Sequence, residues 1–489
     1  MNKKVSQNGS ALVMVLLISV VFTIIISAFL VTISVQQKQI QYNRKYDKAI
    51  WIAEVGVNRF ISGLNNQNDK VNWGMSMATP VPINSDGYWL YQYHNVKDEN
   101  NKIIGKYKVE LISSDIIDMS IKSEGIAYSS DSSDKGISRK IGVSLRKFTL
   151  GNFAIASNHQ IGGAHINGGT AVHGGILTSG KFNLDAASCG VYNDYASLDT
   201  NFSGYTIPST PPNTEIYVFK DKVSSPTPSP NGVIDINNSD LGTSSNPLVA
   251  VHTENDSTTD DTDGVHGDGI IGNGAGSGRV NTSSRDHNMP DIDFPVVAPG
   301  QPYYENRKAA AIATGSNYTG NVTINASTNN FSIGTAFSYT KNNPNKNIAL
   351  NGTVFIDGNL TISDGVTYSG KGVILVNGNV NVTGGLQPKT PDKFPQDDAI
   401  AIICTGNQQL GENSGNSTLY AGYFFGNNTI SIQKAKIYGS IIGGTVNLPT
   451  TGTRPDIYIR PDLVSKLGVP LPDFSNSFAR RISWWEIPG

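Results

Sequence analysis

The chain has 489 residues, which is enough for about two or three domains. Its formal net charge is −2 and only 16% of its residues are charged, so the composition excludes the basic surplus on which nucleic-acid binding depends. The 51 glycines, together with many Asn, Ser and Thr residues, are typical of an exported, mainly β protein built from short strands and tight turns.

The N-terminal segment combines a short basic leader with a long uncharged run. Residues 1–9 carry Lys3 and Lys4, and residues 10–35 contain only Ser and Thr as polar residues. As a helix this run would extend roughly 39 Å, more than the ~30 Å hydrocarbon core of a bilayer. We therefore predict a transmembrane helix with the N-terminus in the cytoplasm and the bulk of the chain outside the cell. A secretory signal peptide and an ordinary single-pass anchor are the alternatives, and neither accounts for a glycine directly before the apolar run.

The sequence Gly9-Ser10-Ala11-Leu12-Val13 and the helix that follows resemble type IV prepilins, and residues 49–58 resemble the corresponding stretch of PilX-like pilus assembly proteins. The resemblance implies that a prepilin peptidase cuts between Gly9 and Ser10, which makes Ser10 the mature N-terminus. It also implies that the helix first anchors the subunit in the membrane and then packs against other pilins in the fibre core.

The fifth mature position departs from the major pilins. Those proteins carry a glutamate there, which is thought to neutralise the N-terminal amine of a neighbouring subunit, but this chain has Met14. Minor and tip pilins commonly lack that glutamate, as does the K-type minor pseudopilin. The resemblance therefore implies a minor pilin that primes or tips a type IV pilus, with a minor pseudopilin of type II secretion as an alternative.

The helix is predicted to continue through residues 36–66, because no proline interrupts 10–64 and apolar residues recur every three or four positions. These residues are Tyr46, Ile50, Ala53, Val57, Phe60 and Leu64. Residues 67–150 contain alternating, strand-like segments at 88–93, 107–112, 119–125 and 139–145. A helix followed by an antiparallel meander predicts a small α+β head.

Residues 151–195 and 346–450 are made of short apolar pieces separated by Gly or Asn-Gly. Residues 355–362 align with 375–382 at an offset of 20. This pattern predicts the rungs of one large parallel β-helix, or β-solenoid, with Asn and Gly at corners that need positive φ. A β-sandwich with Asn-Gly hairpins is the alternative.

The two remaining regions are predicted to be accessory to the rungs. Residues 196–345 contain proline-rich stretches at 208–212 and 224–230, which predict a loop-rich insertion that bulges out of the solenoid. Residues 451–489 end with Trp484 and Trp485 and are predicted to cap the open end of the solenoid.

Candidate chemical groups do not form a recognisable site in the sequence. The acidic loop from Asp256 to Asp268 departs from the EF-hand pattern, which leaves either a looser calcium site or a solvated loop. His159, His165 and His173 lack the spacing of a helical metal motif. Asp357 and Asp364, the main acids of the rungs, have no evident carboxylate partner. We predict no catalytic, cofactor-binding or metal-binding residues, and therefore no enzyme and no cofactor.

Two classes of function remain open. The first is a minor pilin that acts through other pilins and possesses a binding surface for a glycan or protein receptor. The second is a membrane-tethered β-helix enzyme acting on polysaccharide, which a carboxylate cluster on one face would favour, whereas an uncharged Asn- and Thr-rich face would favour adhesion. Cys189 and Cys404 are compatible with one disulfide or with two buried thiols.

Overall fold

The computed structural model of the chain falls into two compact units, residues 1–148 with 476–489 and residues 149–475. The described residues are 8–65, 82–84, 87–88, 91–114, 118–128, 136–159, 169–184, 189–219, 232–237, 239–254, 270–273, 280, 283–285, 294–342, 344–412, 418–448, 455–473 and 478–487. The fold is mostly β, with one long apolar helix at the N-terminus.

Helix α1 (Asn8–Asn65) is continuous over 58 residues, which confirms the long helix predicted from the sequence. Its first half packs on nothing, and every large apolar side chain from Leu12 to Val35 is exposed. Its second half buries Ala49, Ile52, Ala53, Val57 and Phe60. The buried stripe is rotated slightly from the predicted one, since Tyr46 and Ile50 lie at its edge.

The first unit packs this half of α1 against an antiparallel sheet. A short pair, β1 (Pro82–Asn84) and β2 (Gly87–Tyr88), precedes β3 (His94–Lys97), β4 (Ile103–Ser114), β5 (Asp118–Ala127) and β6 (Ile137–Phe148). The strand predicted at 88–93 is interrupted, because Tyr91 lies in a turn with φ of 65°.

A close approach of helix and sheet explains why residue 56 of α1 is a glycine. A Cβ atom on Gly56 would lie 2.6 Å from Ser123 Oγ and 2.8 Å from a ring carbon of Tyr107. The Ser123 hydroxyl instead donates a buried hydrogen bond of 2.8 Å to the carbonyl of Ala53. The helix therefore lies directly on the sheet, and Val109, Ile121 and Val143 complete the core between them.

The second unit begins with a 3₁₀ turn (Leu150–Asn152) and a first group of strands. These strands are β7 (Phe153–Ser157), β8 (Ala171–His173), β9 (Gly175–Ser179), β10 (Lys181–Leu184), β11 (Gly190–Tyr192), β12 (Glu215–Phe219), β13 (Val233–Asn237), β14 (Asp240–Leu241), β15 (Ala250–Thr253), β16 (Ile270–Asn273) and β17 (Ser283–Arg285). A helical turn, α2 (Leu198–Asn201), precedes β12.

Helix α3 (Pro302–Ala313) leads to a second group of strands, in which a 3₁₀ turn (Pro391–Lys393) precedes β27 and α4 (Leu463–Leu467) follows β31. They are β18 (Asn317–Thr319), β19 (Val322–Ile324), β20 (Phe331–Ile333), β21 (Phe337–Asn342), β22 (Asn345–Asp357), β23 (Leu360–Ile362), β24 (Val366–Val376), β25 (Val380–Val382), β26 (Leu386–Pro388), β27 (Ala399–Cys404), β28 (Gln408–Leu410), β29 (Thr418–Ile432), β30 (Ala435–Asn447) and β31 (Asp456–Tyr458).

These strands stack in parallel, apart from β20 and β21, which pair antiparallel at β22. The central ladder runs in the spatial order β18, β22, β24, β27, β29, β30, β7, β9, β12, β15 and β17. Another series of parallel strands, which we call the first ladder, contains β26, the start of β30, β31, β8, β11 and β14. The third ladder contains β19, β23, β25, β28 and the ends of β29 and β30.

Long strands link neighbouring ladders by bending. The strands β24, β26, β29 and β27 close a ring of parallel pairings, because the starts of β24 and β29 contact β26 and their later parts contact β27. Gly370 (φ 79°) and Gly422 (φ 154°) lie at these bends, in conformations that favour glycine. These parallel pairings differ from the antiparallel hairpins of the sandwich alternative.

The order of strands in space differs from their order in the chain. The chain enters the stack at β7 in its middle, proceeds to β17 at one end, crosses to β18 at the other end and returns to β30 beside β7. The β30–β7 pairing places strands from 151–195 and 346–450 in one stack, and the β31–β8 pairing adds a strand from the predicted cap. The predicted loop-rich insertion at 196–345 instead supplies strands β12 to β21.

The C-terminal strand does not form the cap that was predicted for the open end of the solenoid. Strand β32 (Phe478–Ile487), which carries both tryptophans, returns to the first unit and pairs antiparallel with β6, giving the order β3-β4-β5-β6-β32. Trp485 lies opposite Gly142, where a side chain on residue 142 would occupy the space of the indole ring. The whole second unit is therefore inserted between two paired strands of the first.

Candidate functional site

The exposed half of α1 is the first candidate surface. Among the described residues it is the one helix long and apolar enough to cross a membrane, with a mean hydropathy of 3.0 in its best window and no buried residue there. Gly9 and Ser10, the predicted processing residues, lie in its first turn, and Met14 is 66% exposed.

Hydroxyl groups in this half are satisfied by the helix itself. Thr23 and Ser27 each donate a hydrogen bond of 2.7 Å to the carbonyl four residues earlier, while Ser19 and Thr32 make similar bonds of 2.8 and 2.9 Å. These side chains therefore need no water, which is the condition for placing Ser and Thr in a bilayer or in a bundle of apolar helices.

A polar cluster fixes the C-terminal strand to α1 where the exposed half ends. The Tyr46 hydroxyl donates to both carboxylate oxygens of Glu486, at 2.6 and 2.7 Å. The guanidinium of Arg139 lies 4.2 Å from the centre of the Tyr46 ring, and its Nε atom lies 3.7 Å from Glu486. The hydrogen bond to Glu486 raises the pKa of Tyr46 above its ordinary value.

The second candidate surface is a repeated Gly-Asn corner before the third ladder. Gly-Asn occurs at 320–321, 358–359, 378–379 and 406–407, each time directly before a strand of that ladder. A Cβ atom on Gly378 would lie 2.6 Å from the carbonyl oxygen of Gly358, and one on Gly406 would lie 2.8 Å from that of Gly378. Glycine is thus required for close stacking of successive corners.

The asparagines of these corners, which we call the asparagine ladder, are Asn321, Asn359, Asn379 and Asn407. Each side-chain Oδ1 accepts a hydrogen bond from a main-chain N–H of the next rung, at 2.9, 2.8, 2.8 and 3.2 Å in order. The last donor is the main-chain N–H of Thr429. None of these asparagines has positive φ, so their role is to bridge rungs and not to adopt the turn conformation predicted from the sequence.

An outer column of uncharged polar side chains runs beside this ladder, in register from strand to strand. Its members are Thr323, Thr361, Asn381, Gln409, Ser431 and Asn447. The residues on either side of each member are buried, and all of them except Gln408 are apolar, so these six project away from the core.

Between the asparagine ladder and the outer column lies an open groove of about 410 Å³. We call it the neutral groove, and its lining residues are Asn379, Val380, Asn381, Asn407, Gln408, Gln409, Thr429 and Ser431. None of these eight residues is charged. The groove can therefore donate and accept hydrogen bonds but offers no ion pair.

The acidic residues considered as catalytic candidates have separate structural contacts. Asp357 accepts a hydrogen bond of 2.8 Å from the Asn377 amide, and Asp364 pairs with Lys346. A carboxylate pair at these positions is thus absent from the described rungs.

The histidines and cysteines are also placed apart where they are described. His173 stacks on Tyr458 at 4.4 Å and contacts the Asp194 carboxylate at 3.0 Å through Nδ1. Cys189 and Cys404 are buried thiols that are not joined in a disulfide, and burial raises the pKa of Cys404 to about 12. Within the described ranges no group of three His, Cys, Asp or Glu residues could hold a metal. His165 and the loop from Asp256 to Asp268 lie outside those ranges.

The other half of the stack, from β7 to β17, has a counterpart of the third ladder with different polar groups. Strands β10, β13 and β16 form a separate parallel sheet, in which Gly180 and Gly232 directly precede β10 and β13 without an asparagine. Their φ values of 92° and 78° are left-handed, and Lys181 forms an ion pair with Asp235 on the strand face.

The chain is similar to one pilin among the solved structures. No family model and no curated protein matches it. The similar structure is the crystal structure of competence-associated pilin ComZ from Thermus thermophilus, with a TM-score of 0.49 and 14% identity over 90% of this chain and 96% of that chain.

The asparagine ladder was missed at the sequence level although a signal for it exists. The predicted repeat was centred on Asn-Gly, the turn dipeptide, whereas the repeated unit is Gly-Asn followed by a three-residue strand, which is apolar-polar-apolar in three of the four cases. Aligning that unit would have brought the four asparagines into one row.

Proposed function

We propose that this chain is a minor subunit of a type IV pilus. The observation that carries the proposal is the two-part helix α1, whose first half is uniformly apolar and exposed and whose second half is packed on the head sheet. An exposed apolar surface of this length requires a bilayer or other helices around it. A pilin exchanges one of these environments for the other when it enters the fibre.

The finer parts of the proposal follow from the N-terminal sequence. Cleavage by a prepilin peptidase falls between Gly9 and Ser10, and the leader lies in the cytoplasm with the bulk of the chain outside. Met14 leaves the subunit without the carboxylate that neutralises a neighbour's amine. Few copies per fibre and a priming or tip position follow from this difference.

The second unit is proposed to be a β-solenoid that binds and does not catalyse. Its stacked parallel strands support the solenoid class, and the uncharged face of the third ladder supports binding at the cell surface over the enzyme alternative. Hydrolases and lyases of polysaccharide need convergent carboxylates or a base, and the neutral groove contains neither.

Processing can be tested by expressing the full chain with and without a prepilin peptidase. The peptidase should move the N-terminus from Met1 to Ser10, and Gly9→Ala should block the change. Gly63→Ala, the same substitution near the other end of α1, is the matched control and should leave cleavage intact. Cleavage of Gly9→Ala at the same bond would refute the prepilin assignment.

Copy number tests the minor role. The chain should be present at far below the major pilin in sheared pili, and Met14→Glu should raise its share. Val13→Glu carries the same charge on a neighbouring position and should not. A parent chain present in nearly equal amount to the major pilin would rule out a minor or tip subunit.

A further inference from the structure

We propose that the neutral groove binds an uncharged, extended polysaccharide chain. This inference goes beyond pilus incorporation, because the groove lies wholly within the second unit and its ligand would bind whether or not the helix is processed. It is supported by three features of the lining residues: oriented donors, a mixed polar column and the absence of charge among them.

The asparagine ladder supplies oriented donors. Asn379 and Asn407 each use Oδ1 to accept from the next rung, at 2.8 and 3.2 Å, which fixes the orientation of the amide plane. Their Nδ2 groups then remain as donors at the groove edge. A donor that is held before the ligand arrives loses little conformational entropy on binding, so such contacts contribute more than those of a mobile side chain.

The outer column supplies the complementary groups. Asn381 and Ser431 can donate and accept, and Gln409 keeps its Oε1 acceptor while its Nε2 donates 3.1 Å to the carbonyl of Gly411. A polysaccharide hydroxyl also donates and accepts, and its ring and linkage oxygens accept. The two rows together therefore match both kinds of hydrogen-bonding group on a sugar.

The spacing of the rows favours a chain over a single small molecule. Neighbouring strands lie about 4.8 Å apart, so the three rungs of the groove repeat their polar groups at that interval. This interval is close to the length of one sugar unit in an extended glycan. Successive units could thus meet equivalent groups on β25, β28 and β29.

The absence of charged residues from the lining favours a neutral ligand. A uronate or sulfate chain would have to give up hydration without meeting a cation among the eight lining residues. An apolar ligand would leave amide groups without hydrogen bonds. The lining contains no aromatic ring on which a sugar could stack, so we expect weak binding, with a Kd on the order of 1 mM for a short oligosaccharide.

The test uses the purified full chain in a zwitterionic, sugar-free detergent. Isothermal titration calorimetry measures its binding to three neutral hexasaccharides, a β-1,4-glucan, a β-1,4-linked N-acetylglucosamine and an α-1,6-glucan, and to a hexagalacturonate. At least one neutral ligand should bind at least tenfold more tightly than the galacturonate. Equal or tighter binding of the galacturonate, or no binding of any neutral ligand at 10 mM, overturns the proposal.

Variants locate the site. The double change Asn381→Ala and Gln409→Ala should weaken binding at least tenfold, with thermal unfolding unchanged because both side chains project from the rungs. Asn447→Ala removes the same group from the same outer column outside the groove and should change the Kd less than twofold. Parent-like binding by the double variant, or an equal loss in Asn447→Ala, would overturn the assignment to this groove.

Discussion

The stack has two halves, β18 to β30 and β7 to β17. The third ladder of the first half and the sheet of β10, β13 and β16 in the second half are built alike, but the corners before their strands differ. Before β19, β23, β25 and β28 an asparagine separates the corner glycine from the strand, and the outward strand face is neutral. In β10 and β13 the glycine precedes the strand directly, and Lys181 and Asp235 pair on the strand face.

The difference between the two halves shows which features the stacking of parallel strands needs and which it does not need. Parallel strands stack in both halves, so a ladder of asparagines is not a condition of the architecture. Among the described residues, the neutral surface of the third ladder lies in one half, as expected for a surface with a binding role. The following changes break or sharpen that comparison.

The largest effect should come from the glycine corner. Gly378→Ala places a Cβ atom 2.6 Å from the Gly358 carbonyl, and because that atom is backbone the rungs must separate. We expect a loss of about 2–3 kcal/mol in unfolding free energy. Urea unfolding followed by hydrogen exchange on peptides from 375–412 measures it.

Gly352→Ala is the matched control, since its φ of 98° strains alanine but a Cβ atom there meets nothing within 4 Å. It should lose only about 1–2 kcal/mol. Because Gly378 does not have a positive φ, its loss reports the close approach of successive corners alone, and a loss no larger than that of Gly352→Ala would contradict a stacking requirement at this corner.

A gain in stability is expected at Gln408. This side chain is 1% exposed and lies between Val380 and Ile430 in the ladder, and within the described part of the chain neither amide atom has a hydrogen-bond partner. An unsatisfied buried polar group costs about 1–3 kcal/mol. Gln408→Leu should therefore stabilise the neutral half by about 1–2 kcal/mol in the same unfolding experiment.

Gln409→Leu makes the same change on the outer face and should bring no gain. If Gln408→Leu destabilises the rungs instead, Gln408 has a polar partner and the neutral half contains a buried polar site.

The asparagine ladder should contribute less per residue. Asn379→Ala removes the acceptor of the Asn407 N–H at 2.8 Å, and since the site is exposed we expect a loss of about 0.5–1 kcal/mol. Asn381→Ala, two residues along, removes no bridge between rungs and should change stability by less than about 0.5 kcal/mol. Hydrogen exchange at the Asn407 amide, which should accelerate in Asn379→Ala only, distinguishes the two.

The smallest change in stability is expected at low pH, in the half of the stack from β7 to β17. The hydrogen bond from His173 is the main cause that lowers the pKa of Asp194, so its stabilisation is full above the ordinary value of about 3.9 and is lost as the pH falls through the lower folded value. Between pH 6 and pH 2, the protection factors of amides in β8 and β11 should fall more than those of amides in β25 and β28. Protection factors are compared because intrinsic exchange itself slows over this range.

Asp194→Asn should remove this pH dependence, while Asp199→Asn, on an exposed side chain nearby, should preserve it. An acid effect of equal size in β25 and β28 would contradict the assignment of charged contacts to one half.

Local patterns predicted the elements that local physics determines. The unbroken apolar run and its three-to-four spacing predicted α1 to within about two residues of Asn8–Asn65, because helix formation depends on neighbours in sequence. Alternation likewise predicted β4, β5 and β6, since each strand has one face on α1.

The order of the strands in space could not be predicted in this way. Nothing near β7 indicates that its partner is β30, and nothing in Trp484 and Trp485 indicates that β32 pairs with β6. Both pairings join residues far apart in sequence, so they depend on the whole chain. The crossing to β18 fell within the loop-rich insertion predicted from the proline-rich stretches at 208–212 and 224–230. In the structure, Val297 N–H donates a hydrogen bond of 2.9 Å to Asn427, and Tyr303 donates one to the Pro470 carbonyl.

The meeting of β7 with β30 has a consequence for export. Under the export proposed above, the strand that enters the stack first gains its second neighbour only after β30 has crossed the membrane, and β6 gains β32 only when the last residues have followed. A chain cut between β7 and β30 would leave β7 and β6 each without one of these neighbours, and an unpaired strand edge favours aggregation and proteolysis. In the proposed pilus subunit, completion of the fold would therefore coincide with completion of export, and truncated copies would be removed before they reach a fibre.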